Sequence, residues 1–515
     1  MQACPTELNY AAHLVHINAA RADKPAYIDD QRTLTYGELA QKIAQFAGLL
    51  QNLGIRREER ILLLMHDTID WPVAFLGALH AGVVPVAANT LLTAHDYAYM
   101  LHHSRSQAVF VSGALLPILQ QAMSGEHDVK HIVVSQPDGA LPSGIHKLED
   151  LMAQAGEPPA CPTAADEVAF WLYSSGSTGQ PKGVIHTHAN LWHTAELYGK
   201  PVLGVKESDV VFSAAKLFFA YGLGNGLTFP LSVGATTVLM AERPTPDAVF
   251  KRLTQHRPTV FCGVPTLYAS MLASPALPAR DSVAMRVCAS AGEALPKDLG
   301  TRFQQHFGCD ILDGIGSTEM LHIFLSNQPG RIRYGTTGLP VPGYEVDLRD
   351  EHGHSVPTGT IGDLYIRGPS AALMYWHNRS KSLETFQGPW LKSGDKYTCD
   401  ADGYYTYAGR SDDMIKVSGQ YVSPIEVENT LAQHEAVLEA AVIGVTDSDG
   451  LMKTTAYVVL RNGEAGDSGI EHELQAYVKQ HLAPFKYPRS IHFIDDLPKT
   501  ATGKIQRFRL RQLNK

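Results

Sequence analysis

The stretch YSSGSTGQPKG, from Tyr173 to Gly183, gathers hydroxyls, glycines and one lysine behind an apolar run. That mixture suits a polyphosphate. Gly176 and Gly179 let a backbone approach a ligand closely, Ser174, Ser175, Ser177 and Thr178 offer hydroxyl donors, and Lys182 supplies a positive charge. The spacing fails the Walker pattern G-x-x-x-x-G-K-[ST], because Pro181 stands where the second glycine is required. By itself the segment reads either as a phosphate cradle of another type or as a solvated Ser/Gly linker.

A cradle works only if rigid elements aim it, and the flanking sequence predicts them. Thr35 stands three residues before Glu38, a capping-box spacing, and Leu39, Ile43, Phe46, Leu49 and Leu50 then fall on one helical face that ends at Gly54. RILLLMH reads as a buried strand, WPVAFLGALHAG as a helix stopping at Gly82, and QAVFVS as another strand. The alternation continues through VAFWLY, ANLWHTAELYG, ATTVLM, PDAVFKRLTQH and PTVFCGV, which predicts an α/β fold with a largely parallel, helix-covered sheet. From about Gly338 the texture turns to short, Gly-punctuated β segments such as GDLYIRG and GYYTYAG, a β-rich subdomain. Beyond Arg410, AAVIGV, KTTAYVVL, EHELQAYVKQHL and SIHFI make a compact α+β unit. The expected division is a large domain over residues 1–411 and a small C-terminal domain over 412–515, with the boundary at Asp412.

Composition narrows the partners. A chain of 515 residues, 44% of them hydrophobic, buries more than one core. The net charge of -9 and the absence of a Lys/Arg run argue against nucleic acid or an anionic membrane as partner. Small acidic substrates then need local positive groups. The cysteines (Cys4, Cys161, Cys262, Cys288, Cys309, Cys399) are scattered, with no C-x-x-C pair or zinc spacing, which fits reduced thiols of a cytoplasmic protein without a structural metal. The N-terminal residues lack a basic-then-apolar export pattern, and no stretch reaches ~18 uninterrupted apolar residues, so neither export nor membrane spanning is expected. The composition is compatible with a homodimer and does not demand one.

Six motifs occur in order: YSSGSTGQPKGV, SAGEAL at 290–295, DGIGSTE at 313–319, WLKSGDKY at 390–397, YAGRSDDMIKVSGQYVSPIEVE at 407–428 and LPKTATGKIQR at 497–507. Together they resemble the signature of the adenylate-forming superfamily of acyl-CoA synthetases, luciferases and peptide-synthetase adenylation domains, over nearly the whole chain. Within it, KLFFAYGLGN and GIGSTEMLHIFLSN look most like the benzoate-CoA ligases. The resemblance implies ATP, Mg²⁺ and coenzyme A, and a two-step reaction in which a carboxylate attacks the α-phosphate and the CoA thiol then attacks the acyl-adenylate.

It also implies roles, residue by residue. Lys504 neutralises carboxylate and α-phosphate, Thr318 hydrogen-bonds that phosphate, and Glu319 holds Mg²⁺. The residues Ser174, Ser175, Gly176, Ser177, Thr178, Gly179 and Lys182 grip the polyphosphate. Gly292, Glu293 and Ala294 line the base, Asp313 meets the adenine amino group, and Gly316 borders the nucleotide. Ile315 stands where many relatives carry tyrosine, so adenine keeps an apolar contact in place of stacking. Asp395 suits a ribose diol and Arg410 supports it; both could instead form a surface ion pair. Phe219, Ala220, Tyr221, Gly316, His322 and Ile323 match an acyl pocket for a flat ring, with His322 either a core residue or a contact for a ring substituent. Asp412 matches a hinge, Gly419 the wall of a pantetheine tunnel, and Phe485, Lys486 and Arg489 a surface for the CoA nucleotide, or else a solvated face.

Three functions are weighed: a ligase joining benzoate, or a hydroxy- or aminobenzoate, to CoA; an enzyme loading an aryl group onto a carrier protein; and a non-catalytic adenylate sensor. Retention of Thr318, Glu319, Asp395 and Lys504 together speaks against the third.

Overall fold

The computed structural model describes residues 3–174, 180–411, 413–417, 420–446, 452–461, 466–482, 486–499 and 505–513. They cluster into two compact units, one of Met1–Glu345 with Ile366–Leu391, the other of Val346–Tyr365 with Lys392–Lys515.

The first unit holds two sheets. In the nine-stranded sheet, Val210–Ser213, Val260–Gly263, Val287–Ser290 and Asp310–Gly316 are neighbours that run parallel where they pair. The eight-stranded sheet is centred on Arg60–Leu64, with Val84–Ala87 and Ala108–Ser112 parallel on either side of it. Both flanking strands are buried along their whole length, which is why their sequences run apolar without alternation. Val168–Ser174 joins this sheet parallel to Val84–Ala87 and then pairs antiparallel with Lys182–Thr187. The C-terminal ends of parallel strands are where α/β sheets bind ligands, and the motif loops follow those ends.

Helix Tyr36–Asn52 begins as its sequence predicts: Thr35 accepts from the Glu38 N–H, and the Glu38 carboxylate accepts from the Thr35 N–H. Its apolar face meets helix Asp70–His80, where Gly77 permits a very close approach. A Cβ on Gly77 would lie 2.5 Å from Phe46 Cβ.

In the second unit, Trp390–Cys399 and Tyr405–Arg410 pair antiparallel. Strands Val437–Thr446, Met452–Leu460 and Ser490–Phe493 form a separate sheet, whose core is packed by Val427 and Leu431 from helix Pro424–Leu431 and by Leu474 and Val478 from helix Ser468–His481. The β-rich stretch therefore does not go entirely with the large unit as its texture suggested. Val346–Tyr365 and the residues from Lys392 onward cluster with the C-terminal residues, whereas Ile366–Leu391 stays with the first unit, and the Ser423 hydroxyl donates to the Ala408 carbonyl. Texture marks where β segments begin, whereas side-chain packing decides which core they share. Asp412 lies outside the described residues.

Among the described residues no helix is long and apolar enough to cross a membrane, and the six cysteines are unbridged.

Gly77→Ala should overpack the helix interface at a cost of about 1–3 kcal/mol. A lowered midpoint of the first thermal transition checks this.

Candidate active site

Ser174 ends its strand as the register partner of Lys182, so the hydroxyl-glycine stretch connects two paired strands. Ser175, Gly176, Ser177, Thr178 and Gly179 themselves lie outside the described residues. Across from this connection stands Glu319, in the turn after strand Asp310–Gly316. Its Oε1 accepts from Ser174 Oγ at 3.2 Å and from the Tyr375 hydroxyl at 2.8 Å. The Lys182 ammonium lies 4.6 Å from the centroid of the Tyr375 ring. Hydroxyl, carboxylate and ammonium thus gather where the C-terminal ends of two sheets meet.

The turn carrying Thr318 and Glu319 is pinned through its backbone. Met320 N–H meets Ser317 Oγ at 3.2 Å, Ala372 N–H meets the Glu319 carbonyl at 2.8 Å, and Ser370 Oγ meets the Met320 carbonyl at 2.8 Å. The fourth tie is His186, fully buried, whose Nε2 lies 2.8 Å from the Thr318 carbonyl. Its Nδ1 is 3.1 Å from Asn190 Oδ1, and Asn190 turns its amide nitrogen toward the Pro369 and Ala371 carbonyls. Burial pulls the His186 pKa down to about 4, so the neutral imidazole donates one N–H.

The sequence reading missed His186 and Tyr375. His186 shares a strand face with Lys182 at a spacing of four, a signal that alternation alone could have supplied. Tyr375 carries no such signal, because it reaches Glu319 through the edge strand Met374–Tyr375 paired on Lys182–Thr187.

The same turn continues into the aromatic side of the site. His322 is 3% exposed, with its ring 4.5 Å from Phe229, 5.2 Å from Tyr198 and 5.7 Å from Tyr221 between centroids. Its Nε2 faces the Tyr221 carbonyl at 3.3 Å, which makes Nε2 the protonated nitrogen, and burial holds its pKa down at about 3. Gly224 makes room for this ring, since a Cβ there would fall 2.3 Å from His322 Cδ2. Gly316 does the same for the His322 backbone, and Ile323 is buried in the strand opposite Gly316. Phe219 is 37% exposed and Ala220 is half-buried. The loop carrying them is anchored by Asp67, which accepts from the Leu217 N–H at 3.1 Å, and by Lys216, which donates to the Met240 and Glu242 carbonyls.

Asp313 ends the parallel part of its strand, opposite Ser290, and is 4% exposed. One carboxylate oxygen is 3.4 Å from the Leu295 N–H; the other meets no donor among the described residues. Burial raises its pKa to about 8. Gly292 adopts φ +93 with open space where a Cβ would point, so the bend there asks for glycine through its backbone conformation and not through crowding. Glu293, half-buried, accepts from Thr266 Oγ1 at 3.2 Å, and Ala294 is exposed. Ile315 is half-buried opposite Leu325.

In the second unit, Asp395 and Arg410 are register partners with Arg410 Nη1 3.2 Å from Asp395 Oδ1, so the structure brings this predicted pair together as an ion pair. Lys486 is engaged at 2.6 Å and 2.7 Å by the Glu426 carboxylate. Arg489 lies 3.9 Å from the Tyr487 ring centroid, with Lys479 4.0 Å from the same ring. Gly419, Phe485 and Lys504 lie outside the described residues, although the base of the Lys504 loop is tied by a bridge between Lys499 and Ile505.

Residues 15–376 match the family model described as AMP-binding enzyme, and residues 426–504 match that of the AMP-binding enzyme C-terminal domain. The chain belongs to the AMP-binding enzyme family. It is 56% identical to a benzoate–CoA ligase of Thauera aromatica, covering 98% of this chain and 96% of that protein. A 4-hydroxybenzoate–CoA/benzoate–CoA ligase of Rhodopseudomonas palustris is 48% identical, with 98% and 94% covered. The crystal structure of a benzoate CoA ligase from Burkholderia xenovorans LB400 superposes with a TM-score of 0.91 at 62% identity, covering 98% of this chain and 100% of that one. Membership in this family accounts for the α/β architecture with its large N-terminal and small C-terminal parts.

The buried Asp313 gives a pH prediction. Its folded pKa of about 8 stands above the 3.8 of a free aspartate, so its protonated form supports the fold fully below pH 3.8, and that support is lost as pH rises toward about 8. Asp313→Asn cannot ionise and should show a shallower fall of the melting midpoint between those limits, read by thermal denaturation across pH.

Proposed function

We propose that this protein is an ATP-dependent aryl-CoA ligase that converts benzoate, ATP and CoA to benzoyl-CoA, AMP and pyrophosphate through a benzoyl-adenylate. The observation that carries the reading is one short segment, Gly316–Ile323, that serves two sides at once. Its Glu319 meets the hydroxyl-ended strand at Ser174, its Thr318 carbonyl meets His186, and its His322 packs on the aromatic loop at Tyr221. The relatives named as benzoate–CoA ligases support the acid, since aromatic walls suit a flat ring.

The chemistry has to bring two anions together. Thr318 would hydrogen-bond the α-phosphate while Ser174, the glycine-hydroxyl connection and Lys182 hold the leaving pyrophosphate. Glu319 suits Mg²⁺: it is a hard oxygen donor held by two hydroxyls, and such an ion would take its other ligands from phosphates and water. Bound there, the ion would offset phosphate charge as a Lewis acid. Asp313 would accept from the adenine amino group, and Asp395 with Arg410 would take the ribose.

Lys504 would stand between carboxylate and α-phosphate in adenylation. Gly419 would border the pantetheine path in thioester formation, so the C-terminal domain turns about Asp412 between the steps. The CoA nucleotide would meet Arg489 and the residues around it.

A second reading, a ligase for a hydroxy- or aminobenzoate, is favoured by one observation. The Tyr198 and Tyr221 hydroxyls and His322 Nδ1 are buried beside this segment without a hydrogen-bond partner among the described residues, and a polar ring substituent would suit such atoms.

A panel of aryl and alkyl acids, assayed for CoA- and ATP-dependent thioester formation, tests the reading; benzoate or a substituted benzoate should lead it, and preference for an alkyl acid or for a holo-carrier protein as acceptor would overturn it. At an effective dielectric of ~20 a charge ~4 Å away contributes roughly 4 kcal/mol, about three decades in rate. Lys504→Ala should therefore slow adenylate formation by about that factor and leave thioester formation from preformed acyl-adenylate nearly intact, as measured on the separated half-reactions.

A further inference from the structure

Tyr375 touches two charged groups of opposite sign that lie in different motifs. Its hydroxyl donates to Glu319 Oε1 at 2.8 Å, and its ring face lies 4.6 Å from the Lys182 ammonium. The side chain is 3% exposed and its own backbone is fixed: Tyr375 is the register partner of Val184, and its N–H meets Ser382 Oγ at 3.0 Å. Phe386 packs against the ring at 5.5 Å between centroids. The phenol is therefore held on several sides before any ligand arrives.

Each contact has a physical consequence. A carboxylate oxygen has two lone pairs, and Oε1 already accepts hydrogen bonds from Ser174 and Tyr375. A cation meeting Glu319 is then best received by Oε2. Fixing Oε1 sets the carboxylate plane and so the direction of Oε2. The ring face, electron-rich and desolvated, gives the Lys182 ammonium a defined position within reach of the strand end at Ser174.

We propose that Tyr375 is a positioning residue that sets, through its two ends, both the Mg²⁺-facing oxygen of Glu319 and the resting place of the Lys182 ammonium. The inference rests on the reading of this site as one for Mg·ATP. It makes Tyr375 the element that keeps metal site and phosphate lysine in register, although it comes from neither motif.

The two ends can be separated. Tyr375→Phe keeps the ring and removes the hydroxyl, whereas Tyr375→Leu removes both; Ser174→Ala removes the other donor to the same oxygen. ATP binding is to be measured by titration calorimetry over a series of Mg²⁺ concentrations, with no acid and no CoA present. For Tyr375→Phe the Mg²⁺ concentration giving half-maximal ATP affinity should rise about tenfold, with ATP affinity restored at saturating Mg²⁺. Ser174→Ala should shift the Mg²⁺ requirement in the same direction. Tyr375→Leu should in addition bind ATP about two- to fivefold more weakly even at saturating Mg²⁺, because Lys182 has lost its ring. A Tyr375→Phe protein with an unchanged Mg²⁺ requirement overturns the proposal, and a lowered melting midpoint with that requirement unchanged would show that the residue serves packing alone. Because no acid enters the titration, an error in the acid assignment shows up as Mg²⁺-dependent ATP binding without benzoate turnover, and leaves the Tyr375 result standing.

Discussion

The site depends on keeping one carboxylate, that of Glu319, oriented and close to the end of a strand from another sheet. Two hydroxyls hold Oε1, and both come from the eight-stranded sheet, whereas Glu319 follows a strand of the nine-stranded one. These bonds fasten the two sheets at their C-terminal ends. A carboxylate accepting charge-assisted hydrogen bonds keeps its direction at less entropic cost than a free side chain. The backbone ties at the Thr318, Glu319 and Met320 carbonyls complete this, since an aimed side chain needs a fixed peptide beneath it.

Around that charged point the protein works largely by desolvation. His186 and His322 are kept neutral by burial, so each serves as a directional hydrogen-bond donor to a carbonyl and adds no positive charge to the interior. Asp313 is pushed the other way, and Asp67 likewise rises to about 6 although it accepts the Leu217 N–H. For both carboxylates the penalty of burying the ion outweighs the hydrogen bonds that reach it. Groups whose ionisation burial opposes therefore line the His322 and Asp313 sides, away from the Glu319–Tyr375–Lys182 contacts. Under the proposed function, the aromatic side would receive the acid and the electrostatic side the polyphosphate.

The second unit follows a different logic, with carboxylates paired to cations. Asp395 meets Arg410, and Glu428 receives Arg507 at 2.8 Å through both oxygens. Arg507 and Arg511 also reach Asp413, at 3.6 Å and 2.7 Å, next to the expected hinge. The Lys486 charge is already engaged by Glu426, so under the proposed function Arg489, stacked on Tyr487, is the better suited of the two to receive a phosphate of CoA.

Local rules carried much of the sequence reading. The Thr35 cap, the apolar face beginning at Leu39, the continuous apolar strands and the Gly82 stop are all set within a few residues, and the structure shows each of them. The ordered motifs point to the family, because six short patterns in succession are specific where any one is not. Elements, family and the residue types available for chemistry were therefore legible along the chain. Which of those residues meet was settled by folding: Tyr375 with Glu319, His186 with Thr318, His322 with Tyr221 and Phe229, and the segments Val346–Tyr365 and Lys392–Arg410 with the C-terminal residues. The reason is that secondary structure obeys periodicity along the chain, whereas hydrogen bonds and packing between distant segments obey distances that no period in the sequence encodes.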